Sequence, residues 1–175
     1  MTVHDNFDTT VFPPLRNPDM IEVGVGEVAV ARHPQYLMTP ALGSCVGVAL
    51  WDPALKQGGL AHVMLPTPLE TSAQGMERRF ATVAIPEMVA MLLDRGSPRR
   101  RLSAKIAGGS AMFRGDTVLA TVGERNVEEV KNQLRLLKIP LVAEDTGERH
   151  ARTVELHLDS GLLVVRSYLY GEKKL

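Results

Sequence analysis

Apolar residues recur along this chain in short alternating or compact runs, and only two stretches carry helical spacing. Residues 23–31 alternate small and apolar side chains and predict a first strand. Residues 46–51 form a compact apolar run ended by Asp52-Pro53, and Gly58-Gly59 opens a second run, 60–65, closed by Pro66. Two such runs across a short polar loop predict a hairpin. Centring it near Leu55 sets residue 45 opposite residue 65, and a bulge at Gly58-Gly59 would shift that pairing by one residue.

Residues 76–95 place Phe80, Val83, Ala84, Met88, Met91 and Leu92 on one helical face. Pro86 either kinks this helix or sets its start near Ile85, and Gly96 stops it. A second helix is predicted from an N-cap at Asn126, with Glu128 and Glu129 in its first turn and Val127, Val130, Leu134 and Leu137 as its apolar stripe. Residues 102–107, 139–143, 154–158 and 162–167 read as strands, the last two joined across Asp159-Ser160-Gly161. Strands outnumber helices and several pair as hairpins. The expected fold class is therefore α+β, with mixed or antiparallel β-sheets packed together and flanking helices.

Three segments follow from this pattern. Residues 1–18, with Pro13, Pro14 and Pro18, are expected as a flexible N-terminal arm, residues 19–170 as a single domain, and residues 171–175 as a polar tail. Residues 67–75 form a polar, proline-containing loop long enough to cover a site.

Composition narrows the function classes. Apolar residues make up 45% of the 175 and charged ones 23%, and Lys+Arg equals Asp+Glu at 20 each. This balance provides no electrostatic basis for nucleic-acid or membrane binding. A single cysteine excludes an internal disulfide and a cysteine-built zinc site. The N-terminal segment carries Asp5, Asp8 and Asp19 and lacks the basic start and apolar stretch of a secretory signal. No apolar run approaches the roughly 20 residues needed to cross a bilayer. A cytoplasmic location is expected, where reduction would also keep a lone thiol usable.

That thiol is Cys45, which follows Leu42-Gly43-Ser44 where a turn becomes a strand. His62 lies on the other predicted hairpin strand. A neighbouring imidazole can take a thiol proton and hold the thiolate for attack on a carbonyl carbon. Taken singly, a lone cysteine is most often a small buried apolar residue and a lone strand histidine a core residue; their juxtaposition is what raises both. Thr39, before Pro40, is either a turn residue or a hydroxyl that orients His62 or contacts substrate. Gly43 and Ser44 stand where free backbone N–H groups would face an oxyanion. Gly108-Gly109 matches neither a Walker loop nor a dinucleotide fingerprint and reads as a close backbone approach at a strand end; these four are the candidates for substrate or oxyanion binding. His4, His33, His150 and His157 show no metal-ligand spacing, so no metal or other cofactor is expected.

Together these residues resemble the CheD family of bacterial chemotaxis proteins, the chemoreceptor glutamine deamidases. The resemblance rests on Leu42-Gly43-Ser44-Cys45-Val46-Gly47-Val48, on residues 58–66 (GGLAHVMLP) and on residues 105–113 (KIAGGSAMF), and is extended by Gly123-Glu124-Arg125-Asn126 and residues 139–147. It covers roughly residues 22–168. Many relatives have an aromatic residue where Ala107 stands and an asparagine where Ala61 stands.

The resemblance implies Cys45 as nucleophile, His62 as base and Thr39 as third member. It implies hydrolysis of glutamine side-chain amides in the cytoplasmic helical region of chemoreceptors, and a fold similar to the catalytic domain of the cytotoxic necrotizing factor deamidases. Some relatives associate with CheC-type phosphatases, so the resemblance also implies such a phosphatase as a partner. The alternative function is accordingly a binding module that regulates such a phosphatase. A third reading keeps the Cys–His chemistry for a general cysteine hydrolase or a transglutaminase.

Overall fold

The computed structural model describes residues 17–68, 74–115 and 117–175. Its strands are β1 (Met20–Glu22), β2 (Val28–Arg32), β3 (Tyr36–Leu42), β4 (Val46–Asp52), β5 (Gln57–Val63), β6 (Ser103–Gly108), β7 (Leu141–Thr146), β8 (Arg152–His157), β9 (Leu162–Ser167) and β10 (Gly171–Lys174). Its helices are α1 (Ala81–Asp94) and α2 (Val118–Leu136). The strands form two five-stranded mixed sheets, one ordered β1-β3-β8-β9-β10 and the other β2-β5-β4-β6-β7. The expected α+β class, with sheets packed together and helices outside, is what the chain adopts.

Strand periodicity dictates the layering. Along β4, Val46, Val48 and Leu50 join the core beneath the helices, while Ala49 and Trp51 turn to the other sheet. Along β5, Ala61 and Val63 face the helices and Leu60 the other sheet. Alternation with both faces covered is the signature of a central layer, and all seven residues of β5 are buried. Both helices lie against this sheet, so the order of layers is helices, sheet, sheet.

Several elements differ from their sequence-based expectation. Of the first predicted strand, 23–31, only residues 28–31 are strand, within β2, and β1 is a separate strand ahead of that range. β1 pairs in parallel with β3 in the outer sheet, whereas β2 pairs with β5 in the central one. The hairpin forms without a bulge and pairs Val46 with Val63 and Gly47 with His62, one residue out of the expected register. Gly58 and Gly59 lie inside β5 rather than before it. Helix α1 starts at Ala81 and runs through Pro86.

Asn126 is not an N-cap. Helix α2 begins at Val118, with Thr117 Oγ1 accepting from the Ala120 N–H at 3.3 Å. The buried stripe of α2 is Gly123, Asn126, Val130 and Leu134. Its first two members are not apolar, so a search for hydrophobic spacing starts the helix too late. The tail segment supplies β10, on the outer edge of its sheet. Residues 1–16 of the expected arm and residues 69–73 of the expected covering loop lie outside the described residues.

Candidate active site at the open end of the central hairpin

The β4–β5 register decides which groups share a face. His62 pairs directly with Gly47, and Cys45 stands two residues before Gly47, immediately ahead of β4. A period of two turns Cys45, Gly47 and His62 toward the outer sheet. Cys45 packs against the inter-sheet core there and stays partly exposed. A Cβ added at Gly47 would lie 2.9 Å from Leu42 Cδ1 and 3.4 Å from Val154 Cγ2, so the outer sheet packs closely over this glycine.

Thr39 crosses the gap between the sheets. It lies on β3, is fully buried, and its Oγ1 is 2.7 Å from His62 Nδ1 and 2.5 Å from the Val23 carbonyl oxygen. A hydroxyl has one proton. The carbonyl can only accept, so the threonine donates to Val23 and must accept from the Nδ1–H of His62. This fixes the imidazole tautomer with its lone pair on Nε2. His62 Nε2 is buried and has no hydrogen-bond partner among the described residues, Cys45 Sγ included. Burial lowers the His62 pKa, opposed by the nearby Val23 backbone and the Glu27 charge. Burial likewise raises the Cys45 pKa, opposed by its own backbone N–H. Both shifts favour the uncharged forms of the two side chains.

β3 reaches this position through an irregularity. Its pairing with β8 shifts between Thr39 and Leu42, and Ala41 within the shift has φ of 58°. Pro40 has no N–H to give to a ladder, which suits a bulge. The same proline hides the strand from a sequence reading and makes Thr39 look like a turn residue.

The expected glycine and serine donors divide. Gly108, at φ of 109°, lies so close to β4 that a Cβ there would sit 2.2 Å from the Cys45 carbonyl oxygen. The Gly109 N–H donates to that oxygen at 2.8 Å, so it is spent within the fold rather than free for an oxyanion. The Gly43 carbonyl accepts from Ser110 N–H at 2.8 Å, and Met112 lies over Gly43. The Ser44 carbonyl accepts from Asn126 Nδ2 at 2.9 Å, and the same nitrogen is 2.9 Å from the Met64 carbonyl. Asn126 is thus a residue of this neighbourhood that was misread as a cap. A buried helix position occupied by a carboxamide was the available signal.

No group of three or more His, Cys, Asp or Glu among the described residues is arranged to hold a metal ion. No helix among them is long and apolar enough to cross a membrane. A cavity of about 630 Å³ lined by Gly109, Glu124, Val127, Lys131 and Glu148, among others, touches neither Cys45 nor His62. Met64 and Met112 are both exposed beside the site and give its rim an apolar character.

Residues 64–167 match the family model for CheD chemotactic sensory transduction. The chain is 46% identical over 153 residues to a probable chemoreceptor glutamine deamidase CheD of Moorella thermoacetica, covering 86% of this chain and 92% of that protein. It is 40% identical to the chemoreceptor glutamine deamidase CheD of Bacillus subtilis, over 89% of this chain and 96% of the relative. The Bacillus velezensis protein of the same name is also 40% identical, over 87% and 94%. This chain belongs to the CheD family.

Proposed function

We propose that this protein is a chemoreceptor glutamine deamidase in which Cys45 is the nucleophile, His62 the general base and Thr39 the residue that orients it. The observation that carries the reading is the chain from Val23 carbonyl through Thr39 to His62, which leaves the Nε2 lone pair free on the face that bears Cys45. The names of the relatives support the activity and the substrate class.

In the reaction, His62 Nε2 takes the Cys45 proton as the sulfur attacks the glutamine carboxamide carbon. The C–N bond breaks as the imidazolium gives its proton to the departing nitrogen, and ammonia leaves. Water, deprotonated by the same nitrogen, then opens the thioester to release glutamate and restore the thiol. The partner is the helical cytoplasmic region of a chemoreceptor, and the apolar rim at Met64 and Met112 suits the apolar side of such a helix.

The test is mass spectrometry of a chemoreceptor cytoplasmic fragment incubated with the protein or its Cys45→Ala variant. Gln-to-Glu conversion at defined positions, absent with the variant, is the expected result. No conversion by the folded, reduced wild-type protein across the receptors of its own cell overturns the reading. That outcome would favour the binding module acting on a CheC-type phosphatase, a role that Cys45→Ala would leave intact.

A further inference from the structure

Helix α2 passes unusually close to the segment that follows β6. A Cβ added at Gly123 would lie 2.5 Å from the Ser110 carbonyl oxygen and 2.7 Å from that of Gly109. This close pass brings Asn126, one turn further on, down to the end of the central sheet. Asn126 is wholly buried, and its Nδ2 donates to the Ser44 and Met64 carbonyls at 2.9 Å each. One carbonyl belongs to the residue before Cys45, the other to the second residue beyond His62. A single amide group therefore ties together the two chain segments that must hold sulfur and imidazole in register.

The consequence at Cys45 follows from peptide geometry. The C=O and N–H of a trans peptide point in opposite directions from one rigid plane. With the Ser44 carbonyl drawn toward α2, on the helix side of the sheet, the Cys45 N–H is turned toward the side that carries Cys45 Sγ and His62. No carbonyl among the described residues accepts from this N–H, and its nearness to its own sulfur favours the thiolate. A free N–H beside the nucleophile is placed to receive the negative oxygen formed when the sulfur attacks a carboxamide.

We infer that Asn126 is a positioning residue for the reaction at Cys45, holding the Cys45 N–H as the donor that receives the oxyanion. The inference rests on the deamidase reading for its reaction, and on hydrogen-bond geometry alone for the clamp. Asn126→Leu removes both donated bonds at similar volume, and Asn126→Ser replaces the amide with a hydroxyl too short to span both carbonyls. Val130→Ala, one turn along the same buried stripe, loosens α2 without touching either carbonyl and serves as the control.

Two readouts separate positioning from simple loss of structure: deamidation kinetics on a receptor fragment, and the pH dependence of Cys45 alkylation by iodoacetamide, unambiguous in a chain with one cysteine. For both Asn126 variants kcat is expected to fall at least about tenfold, toward the roughly 10²–10³-fold that losing one oxyanion donor costs. KM stays near its wild-type value, and the alkylation midpoint moves to higher pH. Val130→Ala lowers the melting temperature and leaves kcat and the midpoint in place. If Asn126→Leu does not fold, Asn126→Ser decides.

Wild-type kcat and alkylation profile in the folded Asn126 variants overturn the inference. So does an equal loss of kcat in Val130→Ala. If the wild-type protein deamidates no receptor, the functional reading fails by itself. A shifted alkylation midpoint in the Asn126 variants would still establish the clamp.

Discussion

The central β4–β5 hairpin buries polar side chains at both of its ends, and the two ends treat them in opposite ways. At the turn, Asp52 is fully buried and receives the Arg101 guanidinium at 2.9 and 2.7 Å and the Ala54 N–H at 3.0 Å. Gln57, its register partner, donates to Ser97 Oγ at 2.8 Å. At the open end, His62 is just as buried, and its Nδ1 is satisfied by Thr39, yet its Nε2 has no partner among the described residues. Burying an unsatisfied polar atom typically costs about 1–3 kcal/mol. The turn avoids that cost with an ion pair and a hydrogen-bond network. The open end bears it at Asn126 Oδ1 and at His62 Nε2, the latter on the face that carries the lone thiol, where a proton acceptor is required.

Replacing His62 should give the largest effect. His62→Ala removes the free base, and deamidation is expected to fall by roughly 10²–10⁴-fold, measured as kcat on a receptor fragment. A structural histidine would lose stability and keep its activity per folded molecule. Thr39→Val should give the next largest effect. It keeps the shape of the side chain and deletes the oxygen that fixes the tautomer, so kcat is expected to drop with KM little altered. Stability should fall by about 1–3 kcal/mol, because the Val23 carbonyl and His62 Nδ1 both lose their partner. Denaturant titration and steady-state kinetics on the same variant separate the two consequences.

The open end of the hairpin was legible in the sequence and the ion pair at its turn was not, and the gaps have particular causes. The hairpin and the neighbourhood of Cys45 and His62 follow from two apolar runs and the loop between them. The register does not, because Gly58 and Gly59 look like a turn and are in fact strand residues of β5, Gly58 allowing the outer sheet to approach and Gly59 allowing Met88 of α1 to do so. A Cβ at Gly58 would lie 2.4 Å from the Leu50 carbonyl oxygen and 2.8 Å from Leu158 Cδ2. Thr39 was visible as a candidate, but Pro40 masked the strand that delivers it. Asn126 was misplaced because its partners are backbone carbonyls of distant segments, and hydrophobic periodicity carries no trace of such bonds.

A third variant tests the satisfied end. Arg101→Met strips the guanidinium from Asp52 and leaves a buried carboxylate with the Ser97 hydroxyl and the Ala54 N–H as its donors. The expected loss is about 1.5–3 kcal/mol, the range for hydrogen bonds to a charged group, with kcat at the other end of the hairpin unchanged. A fall in kcat per folded molecule would mean that the two ends are coupled along the strands, and would dissolve the division drawn between them.

Acid unfolding should resolve the two ends by pH, with a smaller effect on stability at any single point. The His62 pKa is lowered from 6.5 in the folded protein, chiefly by burial. As pH falls below 6.5, the unfolded chain takes up a proton there before the folded one does, so stability decreases. Asp52 is lowered from 3.8 to about 2, chiefly by its hydrogen bond to Arg101. Its contribution is complete above about 4 and is lost as pH falls through about 2. A plot of unfolding free energy against pH should therefore decline in two windows. His62→Gln should flatten the upper one and leave the lower, and Asp52→Asn should make the lower one shallower and leave the upper, Asp145 being lowered as well. If His62→Gln leaves the decline just below pH 6.5 unchanged, then the imidazole is not held neutral by its surroundings, and the free lone pair assigned to Nε2 loses its support.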